Sequence, residues 1–165
     1  MGGIIGVDAN VVPDARAKMR NAMAAYGPLA MKIFGSPRIA ADLKFRFLWA
    51  LVMTRLMFNI HIVVPTPKYI AIINGVYMRG LRRIRNMCRY GHAATDLAVR
   101  QSLKMPSIDW LFTRARLRYM ARILKNEPVT LAALLAARPS GEPMPWTALI
   151  LKDMDTIRAF GVIVF

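Results

Sequence analysis

Two stretches of this sequence are dense in arginine, a side chain whose planar guanidinium binds phosphate through paired hydrogen bonds. The first stretch, residues 76–92, holds five arginines within eleven positions, while apolar residues at helical spacing supply a side that can be buried. These arginines are Arg79, Arg82, Arg83, Arg85 and Arg89. The pattern predicts a helix that packs on a core and presents cations to an anionic partner.

The second stretch, residues 111–125, carries a regular row of cations. At 100° per residue its apolar side chains fall on one arc, and a basic row lies beside that arc at positions i, i+4, i+8 and i+11. The apolar arc comprises Ile108, Leu111, Phe112, Ala115, Tyr119 and Ile123. The predicted binding residues of this stretch are Arg114, Arg116, Arg118, Arg122 and Lys125. The spacing predicts one amphipathic helix with a basic side.

A row of charged residues on a helix is usually only a solvent-exposed face, but such faces usually carry both acidic and basic residues. From residue 76 to residue 125 the sequence has two carboxylates, Asp96 and Asp109, and neither falls inside a basic row. A phosphate-binding surface is therefore the favoured interpretation. A solvated or membrane-facing charge surface is the alternative. Three tyrosines beside the rows, Tyr77, Tyr90 and Tyr119, could stack on a base or ribose, although tyrosine at core spacing is usually core.

The composition also favours an anionic partner. The 165 residues include 24 lysines and arginines against nine acidic residues, which gives a formal net charge of +15. Such repulsion opposes compaction unless an anion offsets it, and RNA, DNA or an anionic membrane surface would each do so. The apolar stretch 43–64 is interrupted by Lys44, Arg46, Arg55 and His61, so we predict no transmembrane helix. The single cysteine and the absence of a secretory signal predict an intracellular protein, nuclear or cytoplasmic.

The sequence contains no constellation typical of catalysis, metal binding or a cofactor. Its two histidines, His61 and His92, lie far apart, and the sequence shows no pairing of Cys88 with both a base and an orienting group, as a nucleophile requires. Asp153 and Asp155 look like a metal-binding pair, but at i and i+2 of a helix they point about 200° apart, so we interpret both as surface acids. The N-terminal glycines lack the lysine and hydroxyl of a phosphate-binding loop. The chain is therefore predicted to bind rather than to catalyse.

The elements that must hold these residues are predicted to be helical, about seven helices in an irregular all-α bundle. The first begins at Pro13 and runs to about residue 34, and the pair Gly27-Pro28 should kink or break it. The second, over 39–59, is apolar on most of its circumference and is expected to be the central core helix. Thr66 is the predicted N-cap of a third helix, with Pro67 at its first position, which ends near residue 88.

Shorter elements complete the prediction. Thr95 caps a helix over 96–103, Pro106-Ser107 lead into the second arginine helix, and residues 126–128 stop it. A helix over 129–137, a loop over 138–145 and a last helix over 146–160 follow. The opening GGIIGV is compatible with a short strand. We predict a single domain over 1–165, comprising an N-terminal segment 1–12, a helical core 13–137, and a loop plus terminal helix 138–165.

The order of these blocks resembles the region downstream of the catalytic palm in reverse transcriptases of non-LTR (LINE-type) retrotransposons. The strongest match is PTPKYIAIINGVYMRGLRRI, similar to a family helix that ends in MRxLRRI, here residues 78–84. LKMPSIDWLFTRARLRYMARILK resembles a segment where LPSI is followed by RxRLRW, and GEPMPWTALILKDM resembles the terminal GRPxxRWxDxxxxDL element. The blocks keep the family's order and span nearly the whole chain.

The resemblance implies that residues 13–137 form a thumb-like core and that residues 1–12 are the remnant of a palm-edge strand. It also implies that the arginine helices grip the backbone of template and primer. The chain departs from the family at the active site, because the two adjacent aspartates that hold catalytic metals are absent. In addition, Glu142 stands where the family usually has arginine, and Tyr119-Met120-Ala121 replaces a Trp-Gly-His. The resemblance therefore implies a fragment that is inactive alone, with palm and fingers supplied elsewhere.

The leading hypothesis is thus a nucleic-acid-binding, thumb-like fragment of a reverse transcriptase that binds RNA or DNA and needs no cofactor. One alternative is a basic amphipathic protein on an anionic membrane surface. Another is a structural RNA-binding component of a ribonucleoprotein.

Overall fold

The structure, a computed structural model, describes residues 10–86, 94–126 and 141–159, together with the single positions 129 and 133. Over these residues every regular element is a helix, so the all-α prediction is confirmed. The described residues form six continuous helical segments and one short 3₁₀ turn. The proposed N-terminal strand, the loop at residues 89–92 and most of the helix expected over 129–137 lie outside the described residues.

Helix α1 (Val12–Leu29) begins where the sequence predicts. The Asn10 side-chain oxygen accepts a hydrogen bond from the Val12 amide at 2.9 Å, and a proline lies in the first turn, where its missing N–H leaves no bond unmade. The helix is not interrupted at Gly27-Pro28. Instead it continues into a wider π-helical turn, Ala30–Phe34, closed by a bond from the Gly35 amide to the Ala30 carbonyl at 2.9 Å.

Helix α2 is irregular and comprises Ala41–Phe47, a π-helical stretch Leu48–Met53 and a last turn Thr54–Leu56. The prediction that it is the central core helix is wrong. One side is buried, while Leu43, Trp49 and Leu51 on the rest of its surface are 45%, 40% and 39% exposed. The buried side includes Leu48, Val52, Met53 and Leu56. Although α2 is apolar on most of its circumference, only one of its sides is buried.

Helix α3 (Pro67–Ile84) is the central helix, because α1, α2 and α4 (Asp96–Ser102) all pack against it. Its predicted cap is confirmed: the Thr66 hydroxyl accepts a hydrogen bond from the Tyr69 amide at 3.2 Å, and Pro67 occupies the first turn. Its buried residues are Tyr69, Ile73, Val76, Tyr77, Met78, Gly80, Leu81 and Ile84. A Cβ added at Gly80 would lie 2.7 Å from Cδ1 of Leu48, so glycine permits the close approach of α2.

Helices α1 and α3 run side by side in the same direction. Side-chain hydrogen bonds join the two helices from Asp14 and Tyr69 at one end to Ala30 and Arg83 at the other. The bonded residues are always between 51 and 56 positions apart in sequence, and this nearly constant separation means that the helices are parallel. At the first end, Lys18 Nζ lies 2.6 Å from Asp14 Oδ2 and 2.9 Å from the Tyr69 hydroxyl, which in turn donates to Asp14 Oδ2 at 3.0 Å. This buried triangle fixes the register of the two helices.

The contacts divide the chain into two compact units. The larger unit comprises Met1–Phe58 and Pro65–Ile108, and the smaller comprises Asn59–Val64 and Asp109–Phe165. The larger unit contains α1 to α4, with the predicted Thr95 cap of α4 accepting a hydrogen bond from the Ala98 amide at 3.2 Å. The smaller unit contains the 3₁₀ turn Ile60–Ile62, α5 (Ile108–Asn126) and α6 (Pro145–Ala159).

Candidate nucleic-acid interface

The smaller unit displays a row of four cations along one side of α5. Ile108, Leu111, Phe112 and Ile123 of the predicted apolar arc are buried, and the cations of the predicted row are all exposed. We call these cations the α5 basic row; they are Arg114, Arg118, Arg122 and Lys125. At about 1.5 Å per residue the row is about 16 Å long. Among the described residues no carboxylate forms an ion pair with any of the four.

Arg116 does not belong to this surface, and its assignment as a binding residue needs correction. It is 4% exposed, its Nε lies 2.6 Å from Oδ2 of Asp153, and its Nη2 lies 2.9 Å from Oδ1 of the same carboxylate. The interpretation of Asp153 as a surface acid is therefore wrong as well. Two residues of a helix that are separated by one other point about 200° apart, so Arg114 and Arg118 face solvent while Arg116 faces α6. A buried, bidentate guanidinium cannot contact a phosphate.

The arginines predicted from the first stretch divide into two groups. Arg79 and Arg85 are exposed, whereas Arg82 and Arg83 are half-buried and bonded within the larger unit. Arg82 forms an ion pair with Asp96, a carboxylate that sequence spacing placed outside the basic rows. Arg89 lies outside the described residues.

Arg83 caps the π-helical turn that follows α1. Its Nε donates a hydrogen bond to the Ala30 carbonyl at 3.2 Å, and its guanidinium lies so close to Gly35 that a Cβ there would be 2.5 Å from Nη2. A cation at the end of a helix also complements the negative pole of its dipole. Arg83 therefore stabilises the α1 end of the fold and is not free to turn toward a ligand.

Two further binding candidates, which were not predicted from the sequence, lie on α1. Arg16 and Arg20 are exposed, and at 100° per residue they share one stripe with Met23. The Arg79 guanidinium of α3 reaches Sδ of Met23, with Nη1 at 3.9 Å. Arg16, Arg20 and Arg79 therefore lie on one side of the larger unit, which we call the α1/α3 basic face. The i, i+4 spacing of Arg16 and Arg20 can be read from the sequence. Their proximity to Arg79, which lies 56 residues after Met23, cannot.

The charges of the larger unit are strongly unbalanced. Its described residues include fifteen lysines and arginines and three aspartates, and each aspartate is already in an ion pair. These pairs are Asp14–Lys18, Asp42–Arg46 and Asp96–Arg82. No described carboxylate of the larger unit is left for the α1/α3 basic face or for Arg85. A positive field therefore extends from this side of the unit.

The tyrosines beside the rows differ in their surroundings. Tyr77 is completely buried and donates a hydrogen bond to the Pro106 carbonyl at 3.0 Å, and burial raises the pKa of Tyr77 to about 12 although Arg100 opposes the shift. It is a core residue. Tyr119 is half-buried, with its ring 4.2 Å from the His61 ring and 6.1 Å from the Trp146 ring between centroids. Tyr90 lies outside the described residues.

Metal sites and membrane-spanning helices are not found in the part of the chain that the structure describes. There, no group of three or more histidine, cysteine, aspartate or glutamate side chains is arranged to hold a metal ion. Within the same residues, no helix combines the length and the apolar character that crossing a bilayer requires.

Comparison of the chain with protein-family models, with curated proteins and with solved structures finds no match in any of the three.

Proposed function

We propose that this chain binds the sugar-phosphate backbone of nucleic acid through the α5 basic row and the α1/α3 basic face. The observation that carries the proposal is the α5 basic row: four exposed cations on one side of a helix, with no carboxylate partner among the described residues. Cations kept on a surface without local compensation are matched best by a polyanion. Backbone phosphate is the polyanion that arginine recognises with the best geometry.

The proposed binding is independent of base sequence. Contacts to phosphate fix where a protein lies on a nucleic acid but carry no sequence information. The binding energy of such contacts comes largely from released counterions, so affinity falls steeply with salt. Arg82, Arg83 and Arg116 are bonded within the protein, so we assign them to holding the helices that carry the exposed cations.

A more specific form of the proposal is that the chain is a thumb-like fragment of a non-LTR reverse transcriptase. It is supported by the ordered resemblance of the blocks described above, of which the MRGLRRI block ends α3 and the RARLR block lies in α5. In this form the ligand is the template-primer duplex, and the catalytic aspartates belong to palm and fingers outside this chain. The fragment alone would then bind nucleic acid without polymerising.

The test is a salt titration of binding, followed by fluorescence anisotropy of a labelled RNA–DNA hybrid. The test variant replaces all four cations of the α5 basic row with glutamine. Each phosphate contact contributes a slope of about −0.9 in log K against log salt on a duplex, so four lost contacts should flatten the slope by about 3 to 4. A salt-independent wild type, or no binding at about 0.1 M salt, would refute the proposal.

The matched control removes cations that are already paired on the surface. Arg46 pairs with Asp42 at 3.2 Å and Arg158 pairs with Asp155 at 3.6 Å, and all four side chains are exposed. The variant Arg46→Gln/Arg158→Gln should keep the wild-type slope within about one unit, because these cations carry little uncompensated charge. The control removes two cations and the test variant removes four, so an equal effect per removed cation would mean that only total charge matters and not the α5 basic row.

A second candidate function is binding to an anionic membrane surface. It is favoured by the exposed apolar side chains of α2, Leu43, Trp49 and Leu51, which lie on the same helix as exposed Arg55. Flotation with vesicles of phosphatidylserine and phosphatidylcholine separates the two functions. Binding that requires the anionic lipid and survives excess competitor RNA would favour the membrane.

A further inference from the structure

The smaller unit contains an aromatic cluster that neither basic surface accounts for. Tyr119 of α5, Trp146 of α6 and His61 of the 3₁₀ turn Ile60–Ile62 come together, with the rings of Tyr119 and His61 tilted by 40° and those of Tyr119 and Trp146 at 83°. The Trp146 indole nitrogen donates a hydrogen bond to the His61 carbonyl at 2.7 Å, which fixes the indole. We call these three residues the aromatic cluster.

The aromatic cluster differs from the core aromatics of this protein in its exposure. Tyr69, Tyr77 and Phe112 are essentially inaccessible to solvent, whereas all three members of the aromatic cluster are only half-buried. Three aromatic rings are thus held in fixed positions at the surface. Rings with a polar atom and an accessible apolar body are common at binding sites, because they bury large areas with little loss of side-chain freedom.

The aromatic cluster also adjoins the α5 basic row. Tyr119 follows Arg118 directly, and it precedes Arg122 by three residues, which places the two side chains about 60° apart on neighbouring turns of the helix. A nucleic-acid strand whose phosphates lie along the row would therefore carry its bases past Tyr119. The two features are independent: one is a pattern of charge, and the other is a tertiary contact of rings from three separate segments.

We propose that the aromatic cluster stacks on unpaired bases, so that the smaller unit prefers single-stranded nucleic acid to duplex. The inference rests on the proposed function, since the α5 basic row would hold the backbone. Every base has a π-face, so stacking on aromatic side chains is tolerant of sequence, but only unpaired bases offer that face to a protein. A cationic row beside aromatic rings is the combination by which proteins bind single strands without reading sequence.

The first measurement compares affinities of the full chain for a labelled 20-nucleotide oligothymidylate and for a hairpin duplex of equal phosphate number. The wild type should bind the single strand more tightly. Tyr119→Leu should lower affinity for the single strand by roughly five- to a hundredfold and leave the duplex affinity nearly unchanged. Tyr119→Phe keeps the ring and should keep the preference. Trp49→Leu, which removes an exposed aromatic of the larger unit, is the matched control and should have no effect.

The second measurement keeps every ring in place, in case Tyr119→Leu disturbs folding. Of the three tryptophans, Trp49 and Trp110 are replaced by phenylalanine so that emission reports Trp146 alone. Binding of the oligothymidylate should quench this emission, and binding of the hairpin should not. Unchanged emission together with equal affinity for the two ligands overturns the stacking inference and leaves the proposed function standing. If neither ligand binds, the proposed function fails first and the inference fails with it.

Discussion

The buried ion pair of the smaller unit makes a direct test of the fold. The Asp153 carboxylate accepts hydrogen bonds from Arg116 Nε at 2.6 Å, from Arg116 Nη2 at 2.9 Å and from the Thr113 hydroxyl at 2.9 Å. Both charged side chains are almost inaccessible to solvent, at 5% and 8% exposure. We predict that Asp153→Asn strongly destabilises this unit although it changes a single charge.

The magnitude follows from what the substitution leaves behind. Without the carboxylate, the Arg116 cation stays buried and uncompensated, and removing one partner of a buried ion pair costs about 3–5 kcal/mol. Apart from Asp153, Arg116 keeps a hydrogen bond of 3.4 Å from Nη2 to the Thr113 hydroxyl, and its Nη1 has no partner among the described residues, so little else compensates the cation. Domains of this size are stable by about 5–15 kcal/mol in total, and the loss would be a large fraction of that. The side-chain oxygen of asparagine can still accept one bond, so we expect about 3 kcal/mol.

A double variant separates the charge from the packing. Replacing both residues, Arg116→Met with Asp153→Leu, removes both desolvated charges and should return stability to within about 1–2 kcal/mol of the wild type. The exposed pair Asp155–Arg158, with atoms 3.6 Å apart, is the control, and Asp155→Asn should cost less than about 1 kcal/mol.

The assay is urea unfolding at neutral pH followed by far-UV circular dichroism, with amide hydrogen exchange of α6 to locate the loss. Two results would refute the reasoning. One is a cost below about 1 kcal/mol for Asp153→Asn, which would mean that Arg116 reaches water. The other is a double variant that is no more stable than the single one, which would mean that packing and not charge dominates.

Three further predictions concern the larger unit. Gly80→Ala should lower the free energy of unfolding in urea by about 1–3 kcal/mol, because the added Cβ would lie 2.7 Å from Leu48 Cδ1. Gly75→Ala is the control and should be neutral or stabilising by up to about 1 kcal/mol, because nothing lies within 4 Å of its Cβ. Burial raises the pKa of Tyr77 from 10.0 to about 12, so folding favours the protonated phenol; the resulting stability is present below pH 10 and is lost as pH rises toward 12. Tyr77→Phe should therefore lose less stability than the wild type between pH 9 and pH 11.5 in guanidinium titrations. Thr66→Ala removes the cap of α3 and should cost about 1 kcal/mol, and Thr66→Ser should restore most of it.

Features that depend on local sequence were predicted well. The caps Thr66 and Thr95 and the exposed row of α5 follow from rules that involve residues at most a few positions apart. The confirmed all-α class follows from the same periodicity. The assignment of α2 as the central helix failed for a related reason, since periodicity describes how apolar a helix is and not how many neighbours surround it.

The candidate interface was predicted only in part. Spacing identified which arginines share a side of a helix, and for Arg114 and Arg118 this was sufficient to predict exposure. It did not identify which cations find a partner far away in sequence. Asp96 pairs with Arg82 across 14 residues and Asp153 with Arg116 across 37, and no local rule connects those positions.

The sequence by itself thus determined the helical class of this protein, its excess of positive charge and the side of α5 on which the basic row lies. These properties depend on composition and on the 3.6-residue period. Only the tertiary structure decided which arginines remain free for a ligand, that Arg16 and Arg20 lie beside Arg79, and that the distant residues His61 and Trp146 meet Tyr119 beside the α5 basic row. The physical reason is that ion pairs and ring contacts act through space at a few ångströms, and only packing brings distant segments that close.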